Sequence, residues 1–176
     1  MATVTRIFEF DSAHRVMNEK VKCFNLHGHR FKVEATFEYS STGSLGYAID
    51  FKEIKRLVGS WIDEHLDHAC ILNPLDEQLI VMCRNYGWRH YIMGMGNNGD
   101  INPSAENMAS ELFYIIDKFF SYEKMGVRLV NIRLYETPNC WVDASDYAYS
   151  ATDSYLEAIK KWRSEKGDFN YDIRNE

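Results

Sequence analysis

The sequence predicts an α+β domain: an antiparallel four-stranded sheet with two helices on one face, in the order strand, strand, helix, helix, strand, strand. Three observations carry this reading. Residues 27–39 alternate apolar and polar with a period of two. Residues 51–62 and 108–119 place apolar side chains at helical spacing. Residues 127–136 and 140–149 return to strand-like composition after the second helix. Strands at both ends of a chain with helices between them pack as an antiparallel sheet covered on one side.

Residues 3–13 alternate loosely, with Val4, Ile7, Phe8 and Phe10, and predict a strand that ends near His14. In residues 27–39 the odd positions hold His27, His29, Phe31, Val33, Ala35 and Phe37, and the even positions hold Gly28, Arg30, Lys32, Glu34, Thr36 and Glu38. One apolar side and one polar side describe a strand wet on a single face. SSTGSLGY is a turn or loop. Asp50 followed by Glu53 reads as a capping box, and Phe51, Ile54, Leu57, Val58, Trp61 and Ile62 then form a helical stripe that should end near His65–Asp67. Residues 76–101 are less regular: DEQLIVMCRNY suggests a helix and GMGNNGDINP a loop. Ser104 reads as the N-cap of the next helix, whose stripe is Met108, Leu112, Ile115, Ile116 and Phe119, with Gly126 as its stop. VRLVNIRLYE and CWVDASDYAY are the third and fourth strands. ATDSYLEAIKKWRSEK is an amphipathic helix with a frayed polar end.

A chain of 176 residues with 45% hydrophobic and 26% charged side chains can build a conventional core, which excludes wholesale disorder. A net charge of −6 argues against a generalist nucleic-acid binder. No stretch has the ~20 apolar residues of a membrane span. MATVTRIFEFDSAHR lacks the apolar core of a signal peptide, so a cytoplasmic protein is expected. The four cysteines form no CxxC pair and are expected to be reduced thiols.

His27-Gly28-His29 is the sharpest feature. On a strand, residues i and i+2 project to one face about 6.6 Å apart, so two imidazoles can converge on one ion. Gly28 between them permits close approach of another backbone. His14 ends the preceding strand with the parity of Phe8 and Phe10, and would reach the same point if the two strands are neighbours. Three neutral imidazoles with an open fourth position describe a catalytic zinc site. The opposing reading is three separate histidines satisfied by hydrogen bonds. Cys23, four residues before His27, is open to three readings: a fourth ligand closing a structural zinc site, a nucleophile or base beside the metal, or an apolar buried thiol. Arg15, Lys20, Lys22, Arg30 and Lys32 face only Glu19 in this stretch, surroundings that favour a thiolate. Arg15, Lys20, Lys22 and Arg30 are candidate contacts for a polyanion, with a solvated basic face as the alternative reading. Asp67-His68 by itself reads as the end of a helix. Glu136 ends the row Val130, Ile132, Leu134, where a carboxylate either turns to solvent or accepts a pair of N–H groups.

FDSAHR (10–15), CFNLHGH (23–29), IDF (49–51), LDHACILN (66–73), NPSAEN (102–107) and LYETPNCW (134–141) occur in the order found in the 6-pyruvoyl-tetrahydropterin synthase family, which the sequence resembles. It is most similar to the bacterial 6-carboxy-5,6,7,8-tetrahydropterin synthase branch of queuosine biosynthesis. Phe24 after Cys23 departs from the folate-associated branch, which usually carries Glu there or in place of the Cys. The resemblance implies zinc on His14, His27 and His29. It implies Cys23 as catalytic thiol with Asp67 and His68 as relay partners across a subunit interface, and Glu136 with Thr137 as the pterin site. It further implies the tunnelling fold, assembled into a β-barrel trimer or hexamer. The implied reaction converts 7,8-dihydroneopterin triphosphate to 6-carboxytetrahydropterin, acetaldehyde and triphosphate. The alternatives are formation of 6-pyruvoyltetrahydropterin without carbon–carbon cleavage, and a non-catalytic structural zinc module. The match divides the chain into a synthase domain at 1–147, carrying an insertion at about 76–101, and a C-terminal helical extension at 148–176.

Overall fold

The computed structural model describes residues 2–95, 101–121, 126–147 and 151–167. The strands are β1 (Ala2–His14), β2 (His27–Tyr39), β3 (Ala69–Leu72), β4 (His90–Ile92), β5 (Val127–Thr137) and β6 (Cys140–Ala144). They form one six-stranded sheet in the order β4-β3-β1-β2-β5-β6. β1, β2, β5 and β6 are the expected antiparallel four, but β3 and β4 extend the sheet in parallel, β3 beside β1 and β4 beside β3. The four-stranded antiparallel expectation is therefore corrected to a mixed six-stranded sheet. The two added strands are too short to display a period.

Two helices are likewise too few. α1 (Phe51–Ile54), a π-helical stretch (Lys55–Gly59) and α2 (Ser60–His65) run end to end over the expected first helix. α3 (Glu77–Tyr86) is the helix suggested by DEQLIVMCRNY, capped by the Asp76 side chain on Leu79 N. α4 (Ala105–Ser121) starts after Ser104, whose hydroxyl accepts from Asn107 N. α5 (Asp153–Glu165) is the tail helix, capped by Thr152. The Asp50 carboxylate caps α1 at Lys52 N, but Glu53 turns to Arg56 instead of completing a capping box. Residues 96–100 of the GMGNNGDINP loop and the polar end after 167 lie outside the described residues.

The apolar side of β2 (Phe31, Val33, Ala35, Phe37) and Phe10 of β1 are buried under α2 and α4, with Trp61, Leu112, Ile116 and Phe119 in the same core. Ile159 of α5 joins it, and Leu72, Leu79, Ile80 and Cys83 form a smaller cluster between β3 and α3. The opposite face carries paired charges, among them Arg133–Asp143, Arg128–Glu38 and Arg30–Glu9. β5 departs from simple alternation. Thr36 faces Asn131 and Phe37 faces Leu129, so Val130 is an extra residue. That bulge puts Leu129, not Val130, in the core row with Ile132 and Leu134.

Candidate active site

The register of β1 and β2 builds the site. His14 lies opposite His27 and Ser12 opposite His29. All three histidines occupy the core-side parity of their strands, so their rings gather at the end of the sheet beyond the stacked Phe10–Phe31 pair. Ring centroids are 4.6 Å (His14–His27), 4.9 Å (His27–His29) and 5.2 Å (His14–His29) apart. One ligand nitrogen from each ring lies within 4.8 Å of the others. Gly28 lets β1 and β2 meet there, since a Cβ on it would sit 3.2 Å from the Ser12 carbonyl oxygen.

Two carbonyls orient the rings. His14 Nδ1 is 2.7 Å from the Pro103 oxygen, and His27 Nδ1 is 2.7 Å from the Asn25 oxygen. A ring nitrogen facing a carbonyl must carry the proton, which leaves Nε2 as a free lone pair. His14 Nε2 and His29 Nε2 are buried without a hydrogen-bond partner. Burial, with His27 close by, holds His14 below the ordinary histidine range, and burial does the same for His29. Neutral imidazoles with orphaned lone pairs are a donor set that fits a zinc ion. Cys23 stands exposed in a short 3₁₀ turn, Lys22–Phe24, and does not join the three-histidine group.

Glu136 comes to the same place from β5. Its Oε1 is 3.5 Å from His14 Nε2 and 4.0 Å from His29 Nε2. Tyr135 pairs with Trp141 and Thr137 with Cys140, so Glu136 falls at a second irregularity of β5, a device that re-aims a side chain. Thr137 ends the strand immediately before the Pro138-Asn139 turn.

Asp67 and His68 form the turn after α2. His68 Nδ1 donates to Asp67 Oδ2 at 2.8 Å, and Asp67 Oδ1 accepts from Asp11 N at 3.0 Å. Burial opposes ionisation of Asp67, but the Asp11 N–H and the His68 ring prevail and hold it below the ordinary carboxylate range. His68 opens into a broad groove of about 780 Å³ whose walls include His29, Arg30, Trp88 and Arg89.

Of the candidate polyanion contacts, Arg15 is committed elsewhere: it grips buried Asp76 with two bonds of 2.5 and 2.6 Å. Arg30 pairs with Glu9 and Asp11, while Lys20 and Lys22 are exposed. His65 and His90 bond to nearby carbonyls of Trp61 and Trp88. Sequence reasoning missed the second task of NPSAEN. Besides starting α4, it supplies the Pro103 carbonyl to His14, while Asn102 holds both the N–H and the carbonyl of Met17. The Asn-Pro pair was the available signal.

The family model described as 6-pyruvoyl tetrahydropterin synthase matches residues 3–146. A 6-carboxy-5,6,7,8-tetrahydropterin synthase of Rickettsia bellii is 39% identical over 145 residues, spanning 81% of this chain and 99% of the relative. The Haemophilus influenzae protein of the same description is 26% identical over 149 residues, spanning 81% and 98%. Among solved structures, the 6-pyruvoyl tetrahydropterin synthase of Caenorhabditis elegans superposes with a TM-score of 0.58 at 19% identity, covering 82% of this chain and 94% of the other. That of Plasmodium falciparum gives 0.57 at 19%, covering 83% and 98%. At those identities the likeness speaks for the fold. Among the described residues, no helix is long and apolar enough to cross a membrane.

Proposed function

Because the chain belongs to the 6-pyruvoyl tetrahydropterin synthase family, we propose that it is a zinc-dependent 6-carboxy-5,6,7,8-tetrahydropterin synthase of queuosine biosynthesis. Its substrate is 7,8-dihydroneopterin triphosphate, and it releases 6-carboxytetrahydropterin, acetaldehyde and triphosphate. The observation that carries this reading is the convergence of three histidine nitrogens with Cys23 left outside the group. A closed structural site would have drawn the thiol in.

His14, His27 and His29 hold the metal in this reading. Bound there, zinc supplies Lewis-acid polarisation of the substrate's side-chain oxygens. Pro103 and Asn25 keep two of the rings in the ligand tautomer. Glu136, re-aimed by the strand irregularity, accepts the amidine-like N–H pair of the pterin, with Thr137 beside it. Cys23 as thiolate removes the proton next to the ring. His68, its Nδ1–H committed to Asp67, has Nε2 free to receive and return a proton. The chain's open sheet edges favour an assembly in which neighbouring copies complete one another's sites, as a barrel trimer or a pair of trimers.

Feeding dihydroneopterin triphosphate and assaying acetaldehyde tests the reaction. Acetaldehyde forms in step with substrate loss if the proposal holds. If triphosphate is released without it, the product is 6-pyruvoyltetrahydropterin and the carbon–carbon cleavage is wrong. Cys23→Ala is expected to keep its zinc and lose turnover, whereas loss of zinc in that variant would make Cys23 a ligand and return the structural-module reading.

A further inference from the structure

Cys70 and Cys83 are the cysteines the reaction does not use that meet inside the molecule. Cys83 of α3 is 1% exposed in the small core cluster with Leu72, Leu79 and Ile80, and Cys70 of β3 packs against that cluster. The Cys83 thiol is close enough to influence the acidity of Cys70. The segment leading into β4 clamps both backbones: Trp88 N donates to the Cys83 carbonyl at 2.8 Å, and Cys70 N donates to the Arg89 carbonyl at 3.0 Å. Both sulfurs are thus presented from fixed elements, a helix and a central strand. Cys70 also lines the open groove that His68, Trp88 and Arg89 share, so a small reagent can reach it. Cys23 and Cys140 are exposed.

We propose that Cys70 and Cys83 are a dithiol site that closes to an intrachain disulfide when the folded protein meets a low-molecular-weight disulfide such as oxidised glutathione. Cys70 attacks as its thiolate, having lost a proton to solvent. The glutathione S–S bond breaks, one glutathione thiol leaves, and a mixed disulfide remains on Cys70. Cys83, deprotonated in turn, attacks the Cys70 sulfur, expels the second glutathione thiol and forms the internal S–S bond. The protein loses two electrons and two protons, and the oxidant gains both as two thiols. Burial first, and the neighbouring Cys83 thiol second, raise Cys70 to about 11, so the reduced pair persists in a thiol-rich compartment and closes only under sustained oxidant. The product staples α3 to β3 two residues beyond His68.

The test uses the folded wild-type chain. It is incubated with oxidised glutathione, denatured, blocked with N-ethylmaleimide and digested with trypsin. Residues 57–84 contain no internal Lys or Arg before Arg84, so both cysteines fall in one peptide. That peptide is expected to lose the mass of two hydrogens, to take up no maleimide, and to rise about tenfold over an unoxidised control. Dithiothreitol before blocking should restore two maleimides. In Cys83→Ser, Cys70 should instead retain a glutathione. Two maleimides on the wild-type peptide, under conditions where Cys23 and Cys140 have become glutathionylated, would overturn the proposal. So would two stable glutathiones on that peptide, or a dominant link between Cys70 or Cys83 and an exposed cysteine.

Discussion

At the scale of the residue, His68 is held in a conformation it would not choose. Its φ is +55°, in the left-handed region that costs a residue with a Cβ. Three bonds hold it there. His68 N donates to the Asp11 carbonyl at 2.7 Å, Asp67 accepts from Asp11 N, and Asp67 accepts from the His68 ring. The Asp67 carboxylate therefore fixes both the turn and the tautomer of the imidazole. Asn in its place has one acceptor oxygen and must aim its amide N–H at either a backbone N–H or the ring N–H. Asp67→Asn is expected to leave bound zinc unchanged and to lower kcat by ~100-fold or more, with a smaller change in KM. Steady-state kinetics with metal analysis of the same sample checks it. Equal kcat in the variant would remove His68 from proton transfer. Because Asp67 lies below its ordinary range, its contribution to stability is present above that range and is lost as pH falls through the lowered value.

At the scale of the element, what was legible followed from length and period. β2 shows an unbroken alternation, so the parity that put His27 and His29 with Phe31 was readable, and the same parity in β1 brought in His14. β3 and β4 were not readable. ACIL and HYI are too short to show a period, and β3, an interior parallel strand, needs no polar face to alternate with. The bulge at Val130 was invisible because Leu129 and Val130 are equally apolar. Glu111 was missed for the opposite reason: a charged residue on a helix is expected to face water. It is instead 2% exposed, where it accepts from Tyr91 of β4 at 2.5 Å, Tyr155 of α5 at 2.7 Å, and Gly94 and Met95 N–H groups. One carboxylate thus bolts the residues after β3 and the tail helix to α4. Burial raises its proton affinity above the ordinary value of 4.5, although all four donors work the other way. A raised folded value means that the stability tied to this group is full below 4.5 and is lost as pH rises through the folded value. Glu111→Gln abolishes that titration while blunting the donors' bonds. Its cost, ~2–4 kcal/mol in mildly acidic buffer, is expected to shrink as pH rises. Urea midpoints of both proteins across that range measure it, and a gap that widens with pH would show that the acid is ionised in the fold throughout.

At the scale of the whole molecule, the sheet ends in unfinished edges. β3 covers β1 only from Ser12 to His14, and the Asp67–His68 turn takes both backbone groups of Asp11, so β1 from Ala2 to Phe10 has no strand partner on that side among the described residues, and β6 closes the opposite end. A long strand with open N–H and C=O groups either is blunted or is paired by another chain. Arg6 and Glu9 lie on this edge, but so does Ile7, 54% exposed, in a groove of about 630 Å³ walled by Lys52, Lys55 and Arg56. A large apolar side chain exposed on an open strand edge suits burial against a second copy better than life in water. Light scattering is therefore expected to return a multiple of the 20.6 kDa chain mass. Ile7→Lys puts a charge on the open edge while leaving the intrachain core untouched, and should shift the protein toward monomer on dilution. If the catalytic groups of one site come from two copies, specific activity must fall together with that mass, and raising the concentration must restore both. A variant that turns monomeric yet keeps full activity per chain would leave the edge as an assembly surface but confine the whole reaction to a single subunit.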